Sequence, residues 1–144
     1  MYPRIRTRNQ APVAALVTGS VEKGILPLVE ALNATGRCRT IASCQGHGDI
    51  WGASWVHVPY VLFYADMIFA RALQHQMDPG YLGVTQGTRY GWSLSARFHP
   101  DEDNLAWTLT TRSLRLPEFW TRRHLDADVR TITEMARRAS GLPT

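Results

Sequence analysis

Cys44, His47, Asp49 and His57 fall within one stretch, TIASCQGHGDIWGASWVH (Thr40–His57), together with Gly46, Gly48, Gly52 and the indoles of Trp51 and Trp55. Four chemistries can be written on these side chains. One sulfur, two imidazoles and a carboxylate are ligand types that zinc takes, but no second cysteine or paired histidine stands at a zinc-site spacing, so no metal site is predicted. Cys44 as a nucleophile, with His47 or His57 as its base, needs a reachable thiolate and a third group to orient the base, and the sequence names no such group. The glycines would let backbone N–H groups approach an anion closely, yet neither the dinucleotide fingerprint nor the phosphate-loop pattern is present. The fourth reading is structural: glycines supply positive φ angles, Gln45 or His47 satisfies local backbone groups, and Trp51 and Trp55 pack under the loop. Cys44 and His47 are thus the candidates for chemistry. Gln45, Gly46, Gly48, Asp49, Trp51 and His57 are the candidates for the walls of a pocket.

The elements around this loop follow from periodicity. Arg39 to Cys44 reads as a strand entering it, and Val56 to Tyr64 as a strand apolar on both faces, with Pro59 as a discord because proline removes a ladder donor. Upstream, Val21, Ile25, Leu28, Val29 and Leu32 mark one face of a helix that Ser20 could cap and Gly36 closes; Pro27 either kinks it or marks its proper start. Val13 to Val17 is a weaker strand signal. A helix from Met67 follows, with Asp66 as its cap and Asp78, Pro79 and Gly80 as its stop. Tyr90, Trp92, Leu94, Ala96 and Phe98 then alternate with small or polar residues, and after HPDEDN the pattern returns at Leu105, Trp107 and Leu109, predicting an antiparallel hairpin. A last helix opens at Pro117 and carries an apolar stripe of Leu125, Val129, Ile132, Met135, Ala136 and Ala139. The expected architecture is α+β: a largely antiparallel sheet of about five or six strands with three helices packed on it.

At 144 residues the chain fits one domain, read as residues 13–144 behind a flexible basic arm at residues 1–12. Hydrophobic residues at 44% exclude a disordered or fibrous class. Cys38 and Cys44, on one strand, are too far apart to pair. Free thiols, no convincing signal peptide and no long apolar run predict a cytoplasmic protein without a membrane span. Of sixteen basic residues only Lys23 is a lysine, and the formal net charge is +4. Arginine's planar fork suits phosphate and carboxylate, so nucleic acid, a nucleoprotein complex or an acidic host protein are the partners considered; arginine used only as solubilising charge is the alternative. Arg4, Arg6, Arg8, Arg89, Arg97, Arg112, Arg122 and Arg123 are the candidate contacts. Asp126 and Glu134 stand four residues before Arg130 and Arg138, at pairing distance on a helix surface.

TIASCQGH, PYVLFYADMIFARALQ and GYLGVTQGTRYGWSLSAR resemble, in order and spacing, the tRNA wybutosine-synthesising protein 3 family, in which an S-C-S-G-R box precedes a hydrophobic strand, a helix and a further strand. The resemblance covers roughly Val13 to Arg97. The chain also looks like small bacterial, plasmid and phage proteins with an SC-x-GH box. The family likeness implies that Ser43, Cys44, Gly46 and His47 mark a site, that the activity is methyl transfer to a tRNA base, and that S-adenosylmethionine is the cofactor only if that activity holds. Gln45 stands where the family has serine, His47 where it has arginine, and Val84, Thr85 and Gln86 where it has a small Ser-Gly element. An imidazole does not replace a permanent guanidinium fork at a phosphate. Three functions follow as expectations: a nucleic-acid or nucleoprotein-binding domain with an SCQGH pocket loop, a methyltransferase-like RNA modifier, or a phage or plasmid inhibitor of a host machine, of the anti-CRISPR type.

Overall fold

A computed structural model describes residues 21–48, 55–98, 105–111, 114 and 118–141. The arm at residues 1–12, the Val13–Val17 strand and Ser20 lie outside these residues. In chain order the elements are α1 (Leu26–Ala34), β1 (Cys38–Cys44), β2 (His47–Gly48), β3 (Trp55–His57), β4 (Tyr60–Ala65), α2 (Met67–Met77), β5 (Trp92–Phe98), β6 (Leu105–Thr111) and α3 (Glu118–Ser140).

Local chemistry sets the helix ends. Pro27 occupies the first turn of α1, where its fixed φ fits and its missing N–H costs nothing. The chain reaches that turn through Glu22, whose carbonyl accepts from the Ile25 and Leu26 N–H groups. Gly36, at φ +69°, ends the helix in the left-handed conformation that disfavours a Cβ. Asp66 caps α2 as expected, accepting from Phe69 N–H at 2.7 Å, and the same carboxylate takes a two-pronged ion pair from Arg37 at 2.9 and 2.8 Å.

Among the described residues the fold is α+β with three helices and an antiparallel sheet, and that sheet has four strands there rather than five or six, in the order β1-β4-β6-β5. The Val13–Val17 segment counted among the five or six lies outside the described residues. The apolar run from Val56 to Tyr64 is interrupted at Pro59: β4 becomes a central strand, while β3 pairs with β2 in a separate two-stranded ribbon. Pro59 keeps a role as an acceptor, its carbonyl taking the Thr110 hydroxyl at 2.7 Å. Val61, Phe63 and Leu109 from the central strands are fully buried against Leu28, Val29, Leu32, Phe69, Leu73, Leu125 and Ile132 of the helices. Each such side chain contributes about 1.5–3 kcal/mol of burial, and the described residues share one core.

The β5–β6 hairpin has the predicted pairing, from Trp92 opposite Thr111 to Phe98 opposite Leu105. Its burial is less even than alternation implies. Trp92 is buried, Leu94 and Trp107 pack at the core's margin, and Phe98, at the far end of the edge strand β5, is 74% exposed. The α3 stripe is buried throughout, from Leu125 to Ala139. Among the surface ion pairs of α3 are Arg122 with Asp126 and Arg137 with Glu134, rather than the two read from spacing.

Candidate functional site

β1 is an edge strand, and it carries a bulge. Its register runs Cys38, Arg39 and Thr40 against Ala65, Tyr64 and Phe63, then resumes with Ala42, Ser43 and Cys44 against Leu62, Val61 and Tyr60. Ile41 is the extra residue. By strict alternation Cys38 and Cys44 would share a face; one inserted residue gives Cys38 and Ser43 the register of the core-side residues Ala65 and Val61, and Cys44 that of Tyr60. Cys38 is buried and Cys44 half-buried.

Beyond Cys44 the chain turns at Gly46, at φ +84°, and enters the ribbon, where His47 pairs with His57 and Gly48 with Trp55. Two segments remote in sequence grip this turn. From the approach to α1, Glu22 Oε1 accepts from Gln45 N–H at 3.2 Å and Glu22 Oε2 lies 2.6 Å from His47 Nε2. Gly24 N–H donates to Gln45 Oε1 at 2.7 Å, an approach so close that a Cβ on residue 24 would stand 2.6 Å from that oxygen. From α3, the Arg122 guanidinium donates to the carbonyls of Gln45 and Gly46 at 2.8 and 2.6 Å. The fork therefore clamps two successive peptides.

Inside this frame the Gly46 N–H donates to Cys44 Sγ at 3.3 Å. Burial pushes the Cys44 thiol up; the Gly46 N–H opposes that rise, Glu22 adds to it and Arg122 offsets part of it. Ligand atoms of Glu22, Cys44 and His47 all lie within 4.8 Å of one another, and His47 is 42% exposed, so the group opens to solvent. Chemically, the arrangement offers a thiol, an imidazole held by a carboxylate, and a group of three that could hold a cation.

Of the sequence-derived site residues, Ser43, Cys44, Gln45, Gly46 and His47 are brought together. His57 joins them by backbone pairing; Asp49 and Trp51 lie outside the described residues, as do Arg4, Arg6, Arg8 and Arg112. The described candidate arginines divide. Arg122 is built into the loop and Arg123 is exposed beside it on α3, whereas Arg89 and Arg97 are exposed before and on β5, at the opposite edge of the sheet from β1. The peptide N–H of Arg89 is tied, with that of Tyr90 and the Trp92 indole, to the buried Asp128 carboxylate at 2.7, 2.9 and 3.1 Å. Sequence reasoning missed Glu22, Gly24 and Asp128. No motif announces Glu22 as a site residue, since the loop lies more than twenty residues further along the chain.

Neither a protein-family model nor a curated protein sequence matches the chain. Among solved structures, the chain is similar to the PH1069 protein from Pyrococcus horikoshii, at 15% identity over 93% of each chain with a TM-score of 0.42. No described helix is long and apolar enough to cross a membrane.

Proposed function

We propose that the protein is a nucleic-acid-binding domain that lays α3 along a phosphate backbone and presents the Cys44–His47 loop at one end of the contact. One observation carries this reading: Arg123, Arg130 and Arg138 are exposed along one side of α3, starting next to the Arg122 that clamps the loop. Arg123 and Arg130, seven residues apart, lie about 10 Å apart along the helix and nearly in line, and Arg138, eight residues further on, lies about 12 Å beyond and to one side. The row can therefore follow successive phosphates of a strand that winds past the helix. Asp126 and Glu134 interrupt it but stand opposed by Arg122 and Arg137. Binding of single-stranded RNA and DNA across a salt series tests the proposal. Affinity should fall steeply with salt, and the triple variant Arg123→Gln, Arg130→Gln, Arg138→Gln should flatten the log–log slope by roughly two units, at about 0.7 per lost phosphate contact. No binding at low salt, or an unchanged slope in the variant, would remove it.

A second reading, contact with a host protein, is favoured by Tyr81, Leu82 and Val84, which are 89%, 72% and 57% exposed. Their segment is ordered, since the buried Asp78 carboxylate accepts from Leu82 and Gly83 N–H groups at 2.8 Å each. Large apolar side chains held out on a fixed turn suit a partner's pocket. If this surface works, Tyr81→Ala with Leu82→Ala abolishes capture of a partner from lysate while the salt-dependent binding above is untouched; equal capture by the variant argues against it.

A further inference from the structure

We propose that Glu22, Cys44 and His47 form a binding site for a transition-metal dication, with zinc as the ion that fits best and these three as its ligands among the described residues. The proposal is independent of the nucleic-acid reading. It begins from the ligand set. A sulfur, an imidazole nitrogen and a carboxylate oxygen converge from the end of β1, the start of β2 and the turn before α1, all within 4.8 Å. Tetrahedral zinc, with bonds of about 2.0–2.3 Å, brings its ligand atoms to roughly 3.3–3.8 Å of one another. Small side-chain rotations therefore close the set, and the 2.6 Å contact of Glu22 with His47 opens by about an ångström as the ion enters between them.

A second observation points the same way. Gly46, two residues after Cys44, turns at φ +84° and aims its N–H at Sγ. An N–H directed at sulfur stabilises the thiolate form, which is the form that ligates metal. The surroundings hold the site's shape without occupying it: Arg122 grips the Gln45 and Gly46 carbonyls, and Gly24 anchors the Gln45 side chain. His57 stands opposite His47 in the ribbon.

A cysteine nucleophile would be the other use of the same atoms, with His47 as base and Glu22 as the group that orients it. The two uses differ in what holds the thiolate: a bound dication deprotonates a coordinating thiol outright, with no need of a base. On binding, the S–H bond breaks, the metal–sulfur bond forms and the proton leaves to solvent.

Cobalt(II) titration of the full chain, stripped with chelator and kept reduced, tests the site. A thiolate-to-cobalt charge-transfer band should grow to saturation at one ion per chain, collapse on adding zinc, persist in Cys38→Ser and vanish in Cys44→Ser. His47→Ala should weaken cobalt binding at least about tenfold. Zinc should also raise the melting temperature of the wild-type chain and shield Cys44 from alkylation, read by mass spectrometry. If Cys44→Ser fails to fold, the wild-type spectrum and the alkylation assay decide alone. Absence of the band in the wild type, its survival in Cys44→Ser, or alkylation of Cys44 unaffected by saturating zinc overturns the site.

Discussion

The Glu22 carboxylate meets the His47 imidazole at 2.6 Å, Oε2 to Nε2, so the turn before α1 is fastened to the first residue of the ribbon. The other oxygen of Glu22 holds the Gln45 N–H. Both partners are about a third or more exposed, so this is a local fastening more than a source of global stability. Glu22→Gln should therefore change unfolding free energy by less than about 1 kcal/mol while speeding amide exchange at Gln45. A large loss of global stability with unchanged exchange at Gln45 would contradict this assignment.

Arg122 supplies a planar fork to two carbonyls, and lysine cannot reproduce that geometry. We expect Arg122→Lys to cost about 1–2 kcal/mol in denaturant unfolding, since the hydrogen bonds carry charge on one side only. Gly24→Ala should act on the same loop from the opposite side by expelling the Gln45 side chain. The two substitutions together should cost less than the sum of their separate effects, as a double-mutant cycle will show.

Asp128 is 3% exposed and satisfies three N–H donors that lead into β5. Asp128→Ala leaves those donors without an acceptor and should destabilise the fold by about 3 kcal/mol, with the hairpin's first residues exchanging fastest. Near-wild-type stability in that variant would mean the three bonds are replaced by water.

For Asp66, burial pushes the carboxyl up, but the Arg37 fork and the Phe69 N–H outweigh it and hold the group below its ordinary value. A lowered folded pKa contributes stability that is complete above the ordinary carboxylate range and is lost as pH falls through the folded value. Asp66→Asn should accordingly lose about 1 kcal/mol at neutral pH, after allowance for solvent screening, and show a shallower decline of stability in acid. An acid limb as steep as that of the wild type would count against the pair.

The two thiols should behave differently. Cys38 is 4% exposed and burial raises its thiol far above the ordinary range, whereas Cys44 is half-buried and its rise is opposed by the Gly46 N–H. In the native protein a small alkylating reagent should modify Cys44 slowly and Cys38 only after denaturant is added. Faster labelling of Cys38 would refute the bulge-dependent placement of the two residues.

Much of the frame was legible in the residues. The stripe of α3, the capping Asp66, the closing Gly36 and the alternation of β5 and β6 each depend on neighbours within a turn or a strand pair, and local periodicity reports them directly. Pro59 was legible as a discord in its strand, because a missing N–H is a property of the residue itself, but not as the point where one run becomes two strands. The crowding of Cys44, Gly46 and His47 was visible for the same reason.

Sequence could not supply the partners of that crowd. Glu22, Gly24 and Arg122 reach the loop only because the sheet order puts β1 at an edge beside the approach to α1 and the first turns of α3, and such order comes from packing, not from periodicity. Nor could alternation foresee Ile41 as an extra residue, which changes the phase of everything after it in β1. The amino acids by themselves determined the elements, their ends and the reactive atoms on offer. Tertiary structure alone decided which of those atoms meet, since a contact between segments far apart in the chain is fixed by the burial of a shared core.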